Sequence, residues 1–312
     1  MNILVTGGAG FIGSHLAEAL VNRENLAPVY RDVEIVRGDC ADTADARRSV
    51  KGIEVVYHEG AIPSVARSVA DPLRSRRANG TATLTMLLAA RDAGVRRFIY
   101  ASSSSVYGDT PTLPKRETMM PNPLSPYAAE KLSGEHYLHM FHRLFGLETL
   151  SLRYFNIFGP RQDPSSPYSG VISRFATALI RGETPVIFGD GLQSRDFTYV
   201  GNVVDANLRA LTARKLEGEA VNIATGRRVT LRTLLARMAR ALGGSGRARH
   251  EPARAGDVRH SLADVTKARR LLGYWPRIGL DEGLEKTMAW YREVYGPRPG
   301  AGRAAGRVAP RK

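Results

Sequence analysis

Cysteine occurs once, at Cys40, which excludes an internal disulfide framework and any cysteine-based zinc cluster and favours a cytosolic, cytoplasmic home. No stretch approaches the ~20 consecutive apolar residues needed to cross a bilayer, so no membrane association is expected. Met1–Gly7 has no basic leader ahead of its apolar residues and reads as a first strand rather than a signal peptide. Acids are scarce: 30 Asp and Glu stand against 45 Lys and Arg, a net charge of +15 over 312 residues with His neutral. Five of the basic residues (Arg298, Arg303, Arg307, Arg311 and Lys312) lie in the last 17 positions, where there is no acid and Gly, Ala, Pro and Arg dominate. That composition predicts a disordered basic tail over 296–312. The remaining excess suits a small anionic substrate as well as it suits nucleic acid, and no helix-turn-helix or zinc-finger pattern supports a specific nucleic-acid partner. At 43% hydrophobic and 24% charged residues, the composition is that of a folded globular chain long enough for two domains.

Short apolar, β-branched runs alternate with helical patterns. Ile3-Leu4-Val5 leads into a helix with Ile12, Leu16 and Leu20 four apart. Val33-Glu34-Ile35-Val36, Ile53–Tyr57, Arg97–Ala101 and Thr149–Tyr154 read as strands, with helices marked by Leu84, Leu87 and Leu88 and by Tyr127–Phe145. Such alternation implies βαβ units and a doubly wound parallel sheet buried on both faces, an α/β fold. Beyond residue 160 the texture becomes turn-rich. Helices are expected over Ile172–Ile180, 201–212 and Leu231–Leu242, the last stopped by Gly243-Gly244, and the strand Ala220–Ala224 returns to the first sheet.

Three features carry chemistry. The first strand runs into Gly7-Gly8-Ala9-Gly10-Phe11-Ile12-Gly13 and then a helix, a glycine spacing that lets backbone approach a pyrophosphate at a helix N-terminus. Ser102-Ser103-Ser104-Ser105-Val106-Tyr107-Gly108 follows the Phe98 strand, at the strand end where ligands gather in open α/β sheets. Tyr127 and Lys131 lie one helical turn apart, where an ammonium, aided by a cationic nicotinamide, is expected to lower the phenol's pKa from its usual ~10. Each feature alone has an ordinary structural explanation: a tight turn, a serine-rich turn, an amphipathic helix.

In this order the three resemble the extended short-chain dehydrogenase/reductase family, and within it the NAD-dependent nucleotide-sugar epimerases of the UDP-glucose 4-epimerase type, over Met1 to about Gly296. The resemblance implies a Rossmann domain (1–163 with 196–224) that binds NAD and a smaller mixed α/β domain (164–195 with 225–295) that binds a UDP-sugar. It assigns Ser103, Tyr127 and Lys131 to catalysis, with Ser104 as the alternative hydroxyl and a substrate contact. Gly7, Gly10, Phe11, Ile12, Gly13, Asp39, Cys40, Gly60, Ala61, Tyr127, Lys131 and Tyr154 are assigned to NAD. Asn156 (in Leu152–Asn156), Arg195 (in Gln193–Asp196), Arg254 and Asp257 (in Arg254-Ala255-Gly256-Asp257) are assigned to the sugar diphosphate, where guanidinium forks suit phosphate. Ser261, small where a bulky Tyr restricts the sugar pocket, implies room for an N-acetyl group. No metal is needed, and a homodimer packed through the helices near Leu84 and Tyr127 is implied.

Related dehydratases and decarboxylases place an acid shortly after the catalytic hydroxyl. Here Ser104-Ser105 stands instead, which favours epimerisation over decarboxylation, dehydration or keto-reduction. Departures from the family pattern cluster on the cofactor side. The second strand of the sheet, with its ribose-binding acid, is missing after Val21. Asp32 has roughly the right spacing but precedes a strand, whereas Asp39 closes one and suits the ribose if Val33–Gly38 slides beside the first strand. Glu59 occupies a usually apolar position, and Arg77 stands where an NAD-contacting Asn is usual, with Asn79 displaced. These departures raise the alternative of a remnant that binds a nucleotide sugar but holds NAD poorly.

Overall fold

The computed structural model describes residues 1–21, 33–164, 170–242, 246–253 and 258–296. The first half runs β1 (Ile3–Thr6), α1 (Phe11–Val21), α2 (Thr43–Ser49), β2 (Val55–His58), α3 (Val65–Ala70), α4 (Pro72–Arg76), α5 (Ala82–Asp92), β3 (Arg97–Ser103), α6 (Pro126–Phe145) and β4 (Glu148–Tyr154). The second half runs β5 (Ile157–Phe158), α7 (Val171–Ile180), β6 (Val186–Phe188), β7 (Ser194–Arg195), β8 (Thr198–Tyr199), α8 (Val200–Thr212), β9 (Glu217–Ile223), β10 (Val229–Thr230), α9 (Leu231–Leu242), β11 (Arg249–Glu251), α10 (Thr266–Leu272) and α11 (Leu280–Tyr295).

The apolar runs pair as a five-stranded parallel sheet in the order β1-β2-β3-β4-β9. Alternation along each strand feeds two cores. Val55, Tyr57, Ile99, Leu150 and Leu152 pack with Leu16 of α1, Val203 and Ala206 of α8 and Leu272 of α10. Val56, Phe98 and Tyr100 point the other way, onto Ala46 of α2, Met86 and Leu87 of α5 and Leu138 and Phe141 of α6. A third core joins Ile172 and Phe175 of α7, Leu234 and Met238 of α9 and Leu284 and Met288 of α11 beneath short two-stranded ladders. β9 extends the first sheet beside β4, as its sequence suggests.

One strand expectation fails. Val33–Val36 forms no ladder, and Ile35 is 74% exposed. Among the described residues β1 is therefore the sheet's edge, and Asp39 is not carried there by a strand sliding alongside it. β-propensity supplies no partner: a parallel strand needs a neighbour reached by a crossover long enough to place it. The segment after Val21, Asp32, Gly243-Gly244, Arg254, Asp257 and the basic tail beyond Gly296 lie outside the described residues.

Candidate active site

The C-terminal ends of β1 to β4 converge. Thr6 pairs with His58, His58 with Tyr100, and β3 runs three residues further to set Ser103 beside Tyr154. Gly7 has φ +67°, and a Cβ there would meet Gly60 Cα at 2.9 Å. A Cβ on Gly13 would stand 2.2 Å from the Gly7 carbonyl oxygen. Only glycine permits this approach, and it leaves the first N–H groups of α1, at Phe11, Ile12 and Gly13, without intrahelical partners. The turn fits a dinucleotide pyrophosphate on this geometry. Gly60 N donates to Thr6 Oγ1 (3.1 Å), tying the loop after β2 to the glycine turn, and Ala61 follows it, half-buried.

α6 starts cleanly. Ser125 caps it by accepting from Ala128 N (3.2 Å), and Pro126 fills the first turn. Tyr127 is thereby fixed at the sheet's C-terminal edge, with Lys131 one turn on. Lys131 Nζ donates to the Ala101 carbonyl (2.7 Å) and lies 4.7 Å above the Tyr100 ring and 5.8 Å from that of Tyr127. Burial lowers the Lys131 ammonium to about 8 against the pull of Glu59 and Glu135. The Tyr127 phenol is not acidic: burial pushes it up to about 12, although a hydrogen bond with Ser103 works the other way and Glu59 adds to the rise. The expected lowering by Lys131 is not found: desolvation leads, and only Ser103 acts to lower the phenol. Ser103 Oγ also accepts from Ser105 N (3.2 Å), and Ser104 opens the short 3₁₀ turn Ser104–Tyr107.

Behind this pair lies a buried polar network. Glu135 accepts from Ser102 Oγ (2.5 Å) and from Arg153 Nε and Nη2 (2.8 and 2.6 Å), while Arg153 Nη1 donates to Tyr107 Oη (2.8 Å). It couples α6, β3 and β4 to one another behind Tyr127.

Tyr154 Oη donates to Glu59 Oε1 (2.8 Å) and accepts from Asn207 Nδ2 (2.9 Å). The partner required of Glu59 is therefore Tyr154, while Glu59 Oε2 is buried without a hydrogen bond. Burial raises this carboxyl to about 7, against Tyr154 and Lys131. Adjacent His58, bonded to Thr6 Oγ1 (2.9 Å), is held neutral, lowered to about 3 by burial and then by Lys131. The sequence marked Glu59 as a departure without a role. Its partner lies 95 positions away, a distance no local pattern spans.

At the far side of the glycine turn, Cys40 is half-buried and reaches the Thr6 side chain. Asp39 pairs with Arg77 (2.6 Å) and accepts from Ala41 N (2.9 Å). That backbone hydrogen bond and then Arg77 hold its carboxyl below its ordinary value. Arg77, in the place expected for an asparagine, opens a π-helical turn (Arg77–Thr81). Buried Asn79 instead clamps Ile62, accepting from its N (3.1 Å) and donating to Ser75 Oγ (3.2 Å). Cys40 thus reaches the end of β1 from a loop rather than a strand, with Asp39 next to it in that loop.

On the substrate side, Asn156 (φ 40°) donates to the Asp196 carbonyl (3.0 Å) and to Ser261 Oγ (3.4 Å). Ser261 N donates to the Ser194 carbonyl (3.0 Å), and Arg195 Nη1 to the Ser194 and Arg259 carbonyls (3.0 and 3.2 Å). Asn156 and Arg195 line one cavity of about 230 Å³ with Phe158, Gln162 and Phe197. Asp196 accepts from Thr225 Oγ1 and N and from Gly226 N, stitching β7 to the end of β9.

Residues 3–224 match the family model described as the NAD dependent epimerase/dehydratase family. The chain is 39% identical over 312 residues to a UDP-glucose 4-epimerase of Mycolicibacterium smegmatis, covering 94% of this chain and 99% of that one. Among solved structures, the UDP-glucose 4-epimerase of Thermotoga maritima with UDP-glucose superposes with a TM-score of 0.89 at 38% identity, covering 94% of this chain and 99% of that chain. A UDP-N-acetylglucosamine 4-epimerase of Methanobrevibacter ruminantium in complex with UDP-N-acetylmuramic acid does so with a TM-score of 0.88 at 37% identity, covering 94% and 98%.

Proposed function

The chain belongs to the NAD dependent epimerase/dehydratase family, and from that premise we propose that it inverts C4 of a UDP-hexose through a 4-keto intermediate, with NAD as its resident cofactor. The observation that carries this reading is the convergence of Tyr127, Lys131 and Ser103 on the strand ends next to the Gly7–Gly13 turn.

Gly7, Gly10 and Gly13, with the N–H groups of Phe11 and Ile12, hold the pyrophosphate; Asp39 and Cys40 flank the adenosine; Gly60, Ala61 and Tyr154 line the way to Lys131. Bound NAD supplies a hydride acceptor and, in reverse, its donor. Tyr127 Oη takes the proton of the sugar's 4-hydroxyl and returns it after the keto-sugar has turned. Ser103 shares that hydroxyl and keeps it pointed at Tyr127, with Ser104 beside it. With the phenol raised to about 12 chiefly by burial, its ionisation needs added cationic charge, which the oxidised ring beside Lys131 would provide. Asn156 and Arg195 hold the diphosphate, together with Arg254 and Asp257, and Ser261 leaves room at C2 for an N-acetyl group. The Rossmann part is 1–163 with 196–224, and the substrate part is 164–195 with 225–295.

We further propose a cytoplasmic homodimer joined through α5 and α6, supported by the exposed Leu88, Met140, Leu144 and Phe145 on those helices. The test of the activity is direct. Protein incubated with UDP-galactose and NAD yields UDP-glucose, and Tyr127→Phe slows the conversion at least about a hundredfold while the fold, read by circular dichroism, is unchanged. Turnover in Tyr127→Phe within about tenfold of the wild type would refute the assignment.

A further inference from the structure

Glu59 is a half-buried residue, with its carboxylate Oε2 shut off from solvent, at the junction of two parts of the site. The next residue, Gly60, donates to Thr6 Oγ1 and lies against Gly7 of the glycine turn. Its own Oε1 accepts from Tyr154 Oη, while Oε2 is buried without any hydrogen bond. The same carboxylate acts electrostatically on both Tyr127 and Lys131, so it lies within Coulomb reach of a charge held between them and the glycine turn. The charged and titratable groups around it are few: Lys131 and Tyr127 from α6, Tyr154 from β4, and the neutral His58 from its own strand. Asn207 of α8 reaches it through Tyr154 and carries no charge. A buried anion facing one ammonium, with a second oxygen unsatisfied, is poised for another cation or donor.

We propose that Glu59 is the counter-charge for the oxidised dinucleotide ring, so that this chain holds NAD⁺ more tightly than NADH. The inference rests on the cofactor reading above. The oxidised ring is cationic and the reduced ring neutral, so a nearby carboxylate discriminates between them by Coulomb attraction alone. Glu59 is a positioning residue in this role. It biases which form of the cofactor the site retains, and it leaves proton transfer to Tyr127.

The carboxyl titrates near neutrality, so the preference depends on pH. It is full when Glu59 is ionised and fades as Glu59 takes up a proton below about pH 7. Lys131, lowered to about 8 and held up in part by Glu59, loses some charge toward pH 7.5 in both proteins and more readily in Glu59→Gln, so the comparison rests on the size of the preference lost and on how far its pH dependence is reduced.

The experiment measures dissociation constants of NAD⁺ and NADH for the full chain and for Glu59→Gln, by NADH fluorescence and by displacement, at about pH 6 and pH 7.5. Gln keeps the volume and the acceptor for Tyr154, so only charge is removed. The expected result is a preference for NAD⁺ at pH 7.5 that shrinks at pH 6 in the wild type. In Glu59→Gln that preference at pH 7.5 is reduced about tenfold and changes less between the two pH values. An unchanged NAD⁺/NADH ratio with the same pH dependence in Glu59→Gln would overturn this proposal and leave the cofactor reading standing. Failure of the wild type to bind either nucleotide would overturn both.

Discussion

Desolvation decides the chemistry of single residues in this site. Tyr127 is pushed to about 12, Lys131 is lowered to about 8, and Glu59 is raised to about 7, so the three groups are each shifted toward the neutral form until a charged ligand arrives. Removing the Tyr127 hydroxyl is expected to lower kcat about 10²- to 10⁴-fold, the usual contribution of a positioned acid–base, with little change in thermal midpoint; initial rates and a melting curve on the same preparation test this. For Glu59 the folded protein binds the proton more tightly than the unfolded chain, whose carboxyl titrates near 4.5. Its stabilising contribution is therefore full below about pH 4.5 and is lost as pH rises through about 7. Glu59→Gln is expected to be more stable than the wild type by about 3 kcal/mol above pH 7 and to lose that advantage below pH 5, measured by urea melts of cofactor-stripped protein. Equal melts at both ends of the range would contradict it. Tyr127, Lys131 and Ser103 were legible because they lie within short motifs. The Glu59–Tyr154 bond was not, because it is made by two strand ends that only the sheet brings together.

Elements fix these residues in place. α6 begins at Ser125, whose side chain accepts from Ala128 N (3.2 Å), and Ser125→Ala is expected to cost about 1 kcal/mol and to raise the KM for the sugar nucleotide more than it changes the fold. The Glu135–Arg153 pair, both side chains under 10% exposed, ties α6 to β4. Glu135→Ala strands a buried guanidinium and is expected to cost about 3–5 kcal/mol, seen as a large drop in denaturant midpoint. Most elements could be read from the period of their apolar residues, since burial on one helix face or on both sheet faces sets that period directly. Val33–Val36 misleads for a physical reason: its residues have strand propensity, but no strand of the described chain offers them a ladder. The clustering of Asn156, Arg195 and Ser261 was legible only by resemblance, since two loops and the short strand β7, far apart in sequence, supply them.

At the scale of the whole molecule, the sheet stops at β1 among the described residues, and the Asp39–Arg77 pair and Cys40 are the groups proposed to flank the adenosine. A ligand bound only to the folded state stabilises it by mass action, about 2.7 kcal/mol at a hundredfold excess over Kd. Added NAD is therefore expected to raise the thermal midpoint of stripped protein in a concentration-dependent way, whereas no rise at millimolar NAD would favour the remnant reading. Leu144 is 71% exposed on α6. Leu144→Arg is expected to halve the mass seen by light scattering without unfolding the chain.

The most direct test of the central claim follows the hydrogen on C4. UDP-galactose carrying deuterium at that carbon is converted in unlabelled water and the product analysed by mass spectrometry. Epimerisation by hydride removal and return within one site predicts UDP-glucose that keeps its deuterium at C4. Product that has exchanged the label for solvent hydrogen would contradict the mechanism built on Tyr127, Lys131 and the glycine turn.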